Sequence, residues 1–185
     1  MQALATLLRP VHQLNRRLAG LAAVCTLLMV LIGAYNALAR FTGKYLGLAL
    51  TSNALVELQW YLFSLVFLLG APYALHLGAH VRVDVLYERL SPRARAWIDL
   101  LGTLFLLLPF CALGIWASWH FTADSIAAGE RSNDPGGLLR WPIKLMVPIA
   151  FALLFLQGLA ELARHGSVIL GRPLPDEPGE DPHFG

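Results

Sequence analysis

The chain has 185 residues, of which 57% are hydrophobic and only 14% are charged. A soluble domain of this size with that composition would have too little polar surface, so the sequence predicts a membrane protein without a second, soluble domain. The formal net charge of +2 is small and scattered, and it gives no reason to expect a nucleic-acid partner.

Residues 1–17 are predicted to form an amphipathic leader. Leucines and valines between Leu4 and Leu18 recur at helical spacing, while the polar side chains lie largely elsewhere on the helical wheel. This pattern is typical of a helix that lies on a membrane surface. Pro10 is expected to interrupt that helix unless it occupies a first turn, in which case the residues before it would be a frayed segment.

Four apolar runs follow the leader, and each is long enough to cross a bilayer. A hydrocarbon core of about 30 Å requires about 20 helical residues. The predicted spans are residues 18–39, 54–77, 96–121 and 142–163. Residues 18–165 are therefore expected to form an all-α membrane domain of four transmembrane helices. Residues 166–185 are rich in proline, glycine and acidic side chains, and this composition predicts a disordered tail.

The distribution of lysine and arginine predicts the orientation of these spans. Nine basic residues lie before the first span, between the second and third, and after the fourth, whereas the other two connections hold five. The positive-inside rule then places both termini in the cytoplasm. Ser91 and Pro92 are typical of a helix N-cap followed by the first helical residue, so they are predicted to begin the third span.

Glu57 is the foremost polar candidate, because an ionisable group within a span is costly and is usually functional. It lies about one turn inside the second span. It could be the coupling site of a transporter, but an interfacial carboxylate paired with a base or with a neighbouring subunit is the favoured interpretation. Asn36 and Gln157 are predicted to form interhelical hydrogen bonds. The polar residues form no continuous file across the bilayer, which argues against an autonomous transporter.

The sequence contains no pattern that indicates an enzyme or a cofactor site. No nucleophile, metal cluster or phosphate-binding glycine loop stands out, so the chain is predicted to hold no cofactor of its own. A membrane-anchored redox subunit would need histidines that face one another across haem. No two histidines are predicted to lie at the same depth on different spans, and this weakens that class.

From Glu57 to about Ala163 the sequence resembles the small membrane subunit of tripartite ATP-independent periplasmic (TRAP) transporters, a DctQ-like family. The segments that carry the resemblance are Glu57–Phe63, Phe67–Ala71, Gly78–Asp84, Tyr87–Pro92, Gly129–Ser132, Asp134–Leu138, Trp141–Lys144 and Leu156–Gly158. The segment that contains His80, Arg82 and Asp84 is the most specific of them.

The resemblance implies an accessory subunit of a sodium-coupled, binding-protein-dependent transporter of organic acids in the bacterial inner membrane. Its partners would be a periplasmic substrate-binding protein and a large subunit of about twelve bilayer-spanning helices, in which sodium coupling is expected. The cargo would be a carboxylate, with 2-oxo acids or related monocarboxylates as one option. Candidate partner-interface residues are Glu57, His80, Arg82, Asp84, Trp141 and Gln157.

Two further alternatives remain open at this point. The first is a stand-alone ion- or proton-coupled transporter that acts as a homo-oligomer, with Glu57 as its coupling site. The second concerns the connection between the third and fourth spans, in which Asp134–Gly137 has the composition of a turn. This connection could contact the binding protein or the large subunit, or it could be a solvated connector.

Overall fold

The computed structural model describes residues 2–79 and 90–171, with side chains from residue 8 onward. The helices in this part of the chain are α1 (Gln2–Leu46), α2 (Asn53–His76), α3 (Pro92–Gly102), α4 (Leu108–Ala127) and α5 (Trp141–Ile169). A short π-helical segment, Thr103–Leu107, joins α3 to α4, so these elements form one continuous span. Four helical spans are thus long and apolar enough to cross a membrane, which confirms the predicted fold class.

The first helix is much longer than a membrane span. It contains 45 residues, which corresponds to about 68 Å at 1.5 Å per residue. The predicted leader and the first span are therefore one helix, and Pro10 lies inside it instead of interrupting it. Pro10 is exposed and close to the start of the helix, so the carbonyl that loses its N–H partner there can be solvated.

The helix ends are set by local sequence signals. The hydroxyl of Ser91 accepts a hydrogen bond from the backbone N–H of Ala94 (3.3 Å), and Pro92 is the first residue of α3, which confirms the predicted start of the third span. The residues that follow α2 and α4 include Gly78 and Gly129, with φ of 63° and 56°. Glycine adopts this left-handed conformation without steric cost, so it ends a helix cleanly.

The third span is perturbed next to Pro109. Because proline has no N–H, the regular hydrogen bond to the carbonyl four residues earlier is missing there. The chain widens into the π-helical segment just before it, and the N–H of Leu108 donates to the carbonyl of Thr103. At its other end, α5 continues to Ile169, past residue 165 where the membrane domain was predicted to end.

Helices α1 and α2 pack closely along one another, as do α4 and α5, and contacts between α2 and α5 join the two pairs. Small residues allow the close approach of α4 and α5. The ring of Phe151 lies over Gly114, where an added Cβ would be only 2.8 Å from the ring atoms. Phe110 meets the same ring edge-on, with centroids 5.6 Å apart.

The bundle has two distinct ends. The loop end comprises residues 47–52 and 128–140, which connect α1 to α2 and α4 to α5. The terminal end is the opposite one, where α2 and α5 finish and α3 begins. The basic-residue distribution predicts that the loop end is periplasmic and that the terminal end is cytoplasmic.

Candidate functional site

The connection between α4 and α5 folds into a small hairpin, residues 130–140. The N–H of Gly137 donates to the carbonyl of Asp134 (3.0 Å), and Gly136 between them has φ of 74°, so the predicted turn forms. The N–H of Ser132 donates to the carbonyl of Leu138 (2.9 Å), and that of Arg140 donates to the carbonyl of Glu130 (2.9 Å). The hairpin is therefore a hydrogen-bonded element with a defined turn.

Glu57 fastens this hairpin to α2. Its side chain is 5% exposed, and both of its carboxylate oxygens accept hydrogen bonds. Oε1 accepts from the hydroxyl of Ser132, and Oε2 accepts from the backbone N–H of Leu138 at 2.6 Å. Hydrogen bonds to an ionised acceptor are short and strong. We call this arrangement of Glu57, Ser132 and Leu138 the Glu57 latch.

The turns of α2 on either side of Glu57 reinforce the latch. Residues four apart share a helix face, and on this face Asn53 donates to the carbonyl of Pro135 (3.0 Å) while the hydroxyl of Tyr61 donates to the carbonyl of Leu139 (2.8 Å). Gly137 completes the fit, because a Cβ at that position would lie 2.9 Å from Oε1 of Glu57 and would overlap the side chain of Ser132. Successive turns of one helix thus hold a single loop.

A second polar contact ties the base of the hairpin to α5. The ammonium of Lys144 pairs with Oε2 of Glu130, which also accepts from the hydroxyl of Ser125 (2.6 Å). These two hydrogen bonds stabilise the carboxylate and hold the pKa of Glu130 below its ordinary value of 4.5, with the Lys144 bond as the larger cause. Lys144 also lies 5.4 Å from the centroid of the Phe121 ring.

The terminal end contains a buried chain of two amides and one carboxylate. The amide nitrogen of Asn15 donates to Oε1 of Gln157 (2.7 Å), and Nε2 of Gln157 donates to Oε1 of Glu161 (2.9 Å). Gln157 has no exposed surface. Nearer the loop end, Asn36 donates to the amide oxygen of Gln59 (3.1 Å). Both predicted interhelical hydrogen bonds are therefore confirmed, one between α1 and α5 and one between α1 and α2.

Two histidines from different helices meet at the terminal end. The rings of His12 and His76 have centroids 4.2 Å apart and are tilted by 35°. The expectation that no two histidines lie at the same depth on different spans is thus wrong, because α1 is continuous, its candidate span is Leu8–Leu46, and it carries His12 into contact with α2. The stacked rings leave no space for a porphyrin between them. In the described part of the chain, no group of three or more histidine, cysteine, aspartate or glutamate side chains is placed to hold a metal ion.

The structure brings the predicted site residues to two separate places. Glu57 and Trp141, the first residue of α5, lie at the loop end, whereas Gln157 lies toward the terminal end. His80, Arg82 and Asp84 fall outside the described residues.

Comparison with known proteins now identifies the family. The model of the family described as "Tripartite ATP-independent periplasmic transporters, DctQ component" matches residues 29–166, which is more than half of the chain. The chain belongs to the DctQ family. The C4-dicarboxylate TRAP transporter small permease protein DctQ of Pseudomonas aeruginosa is 30% identical over 115 residues, which cover 61% of this chain and 53% of that protein. The match thus spans about half the length of this relative. No solved structure matches the chain.

In this DctQ chain, the family match contains the whole Glu57 latch but not all of α1. It begins within α1, so it includes Gln157 and excludes Asn15. The contact between the N-terminal part of α1 and α5 therefore joins a segment outside the family match to one inside it.

Glu57 was expected to be an interfacial carboxylate paired with a base or with a neighbouring subunit. Within this DctQ chain its hydrogen-bond donors are a hydroxyl and a backbone N–H, and Arg140 is close enough to attract it electrostatically. Sequence reasoning missed Ser132 and Leu138, which lie 75 and 81 residues from Glu57. The available signals were the glycine-rich turn between them and the family-like segments Gly129–Ser132 and Asp134–Leu138 that contain them, and these indicate a tight loop without indicating what the loop packs against.

Proposed function

We propose that this DctQ-family chain is the accessory small membrane subunit of a sodium-coupled, binding-protein-dependent carboxylate transporter of the bacterial inner membrane. In this proposal the chain braces a large subunit that moves the solute and couples it to sodium. Family membership and four apolar spans support the assignment. C4-dicarboxylates are the first cargo to test, because the Pseudomonas relative is named for them. A 2-oxo monocarboxylate is the second.

The observation that carries the proposal is the apolar middle of α5. Residues 145–156, between Lys144 and Gln157, are all apolar, and this stretch is about 18 Å long. A polar solute in hydrocarbon requires compensating ligands, since each unpaired polar group costs several kcal/mol. The polar networks of α5 lie on either side of this stretch, so α5 provides contacts near both membrane faces and no ligands between them.

The Glu57 latch supports a bracing role. It immobilises a hairpin outside the apolar stretch of the bundle, and an immobilised hairpin offers a partner a fixed surface. A coupling carboxylate must exchange its ligand during transport, whereas both oxygens of Glu57 already accept hydrogen bonds from the same chain. The geometry therefore favours a structural role for Glu57.

Reconstitution in liposomes with a sodium gradient tests the proposal. The chain alone should take up neither a labelled C4-dicarboxylate nor a labelled 2-oxo monocarboxylate, whereas the chain with the large subunit and the binding protein should take up one of them. Gradient-driven uptake by the purified chain alone, lost in Glu57→Gln, would establish the stand-alone transporter instead.

Two variants of the latch separate bracing from coupling. Glutamine at position 57 can accept from the N–H of Leu138 and donate to the hydroxyl of Ser132, so Glu57→Gln should leave copurification and uptake close to wild type. Glu57→Ala removes both acceptors and should reduce recovery of the large subunit. If Glu57→Gln abolishes uptake by a fully assembled complex, the carboxylate has a role beyond the latch.

A further inference from the structure

A groove of about 390 Å³ runs between α2 and α5 near the loop end. Its walls are mostly aromatic and aliphatic, with Trp60, Phe63, Phe67 and Leu68 on one side and Ile143 and Val147 on the other. Ser64 also lines the groove, but its hydroxyl already donates to the carbonyl of Trp60 (2.8 Å). All the lining residues come from α2, from α5 and from Arg140, which directly precedes α5.

Positive charge is concentrated at one end of this groove. Arg140 and Lys144 line it one helical turn apart, at the start of α5. The helix begins there without a side-chain cap, so the positive end of its dipole adds to the two cations. The result is a corner suited to an anion, continuous with an apolar channel.

The two carboxylates near this corner form their hydrogen bonds with donors other than Arg140. Glu57 and Glu130 are close enough to Arg140 to attract it electrostatically. However, Glu57 accepts from Ser132 and Leu138, and Glu130 accepts from Lys144 and Ser125. Nε of Arg140 is buried, and the described residues provide it with no hydrogen-bond acceptor. Both carboxylates therefore take their hydrogen bonds from other donors, and Arg140 is left as the cation of this corner that a further anion can approach.

We propose that this groove binds a membrane glycerophospholipid, with its phosphate at Arg140 and one acyl chain along the apolar walls. The occupant must combine an anion at the loop end with an apolar extension toward the middle of the bundle. From Trp60 to Leu68 the walls extend about 12 Å along α2. A small carboxylate would use only the charged corner, and an apolar partner helix would use only the walls. Trp60 stands where indole rings favour the headgroup level of a bilayer.

Native mass spectrometry of the full-length chain, exchanged from native membranes into mild detergent, tests this proposal. The wild-type chain should retain phosphatidylglycerol or phosphatidylethanolamine. Arg140→Gln should reduce retention about tenfold, the ratio expected for loss of one hydrogen bond to a charged group. Arg131→Gln changes an exposed arginine of the same hairpin that does not line the groove, so it should leave retention unchanged.

A second pair of variants tests the apolar walls without changing charge. Phe67→Ala should weaken retention of the phospholipid, because Phe67 lines the groove. Phe105→Ala should leave retention unchanged, because Phe105 does not line the groove although its ring is similarly exposed (66% against 69%). In addition, phospholipids brominated on an acyl chain should quench the tryptophan fluorescence of a variant that keeps Trp60 as its only tryptophan.

Three results would overturn the lipid assignment. One is a wild-type chain that retains no phospholipid and whose Trp60 is not quenched. Another is displacement of the lipid by millimolar glycerol phosphate, which would show that only the anion is recognised. The last is a photo-crosslinker at position 67 that reacts with the large subunit instead of lipid, which would identify the groove as a protein interface.

Discussion

The hydrogen bond between Asn15 and Gln157 is a direct polar link between α1 and α5, and its strength can be measured. Replacing either amide by leucine removes the bond and leaves the other amide buried. An interhelical hydrogen bond in a membrane contributes about 0.6 kcal/mol on average and up to about 1.7 kcal/mol. With the partner amide left buried and unsatisfied, the cost of a single replacement rises to about 1–3 kcal/mol. Each single variant should therefore lower the free energy of unfolding by about 1–3 kcal/mol.

The double variant, with leucine at both Asn15 and Gln157, isolates the coupling energy between the two amides. With both amides replaced, neither is left unsatisfied, so the combined cost should be smaller than the sum of the single costs by about 1 kcal/mol. Gln157→Leu should cost more than Asn15→Leu, because Gln157 also donates to Glu161. Reversible unfolding in mixed micelles, with denaturing detergent as the variable, gives the required free energies.

A matched cycle provides the control. Gln59 bonds to Asn36, and Asn36 lies 21 residues along α1 from Asn15, about 31 Å away. The costs of Asn15→Leu and Gln59→Leu should therefore add within about 0.5 kcal/mol. If the Asn15 and Gln157 costs are equally additive, the two amides are not coupled, and apolar packing alone holds α1 against α5.

Three further predictions follow from the packing, the charges and the sequence. Gly114→Ala should destabilise the chain because its Cβ would press on the ring of Phe151, whereas Gly70→Ala, where the space is open, should stabilise it by about 0.5–1 kcal/mol in the same unfolding assay. The lowered pKa of Glu130 means that its ion pair stabilises the fold above pH 4.5 and that this stabilisation is lost as the pH falls through the lower, folded-state pKa. When melting temperature is measured between pH 3 and pH 7, it should therefore decrease at the acidic end. The decrease should be smaller when Lys144 is replaced by glutamine. For topology, a cysteine introduced at Ser132 should react with an impermeant thiol reagent on intact spheroplasts and one at Ser91 should not; the reverse pattern would invert the predicted orientation.

Features that depend on a few neighbouring residues could be predicted from the sequence. The four spans follow from runs of apolar residues, and the start of α3 follows from Ser91 and Pro92. The turn at Asp134–Gly137 is equally local, because proline fixes its own φ and glycine accepts the positive φ that the turn requires. The unbroken α1 was harder to predict, since the cost of Pro10 depends on its exposure and on its closeness to the helix start.

The contacts of the candidate site could not be predicted in the same way. Glu57 was recognised as unusual because it is ionisable, but its partners are brought to it by the packing of α2 against α5. The stacking of His12 on His76 likewise depends on how far α1 extends before it meets α2. Single-sequence patterns indicate that a polar group in a span needs a partner, and they do not indicate which distant segment provides it.

The length of α1 makes it a lever arm. Because it is about 68 Å long and the hydrocarbon core is about 30 Å thick, more than half of the helix projects beyond that core when it stands upright. A tilt of about 10° around one end displaces the other by about 12 Å. A small rearrangement at the loop end would therefore be amplified at the terminal end, and the amide chain centred on Gln157 stands beside the moving arm. Such a tilt would shift Asn15 relative to Gln157 on α5 and would strain the hydrogen bond between them.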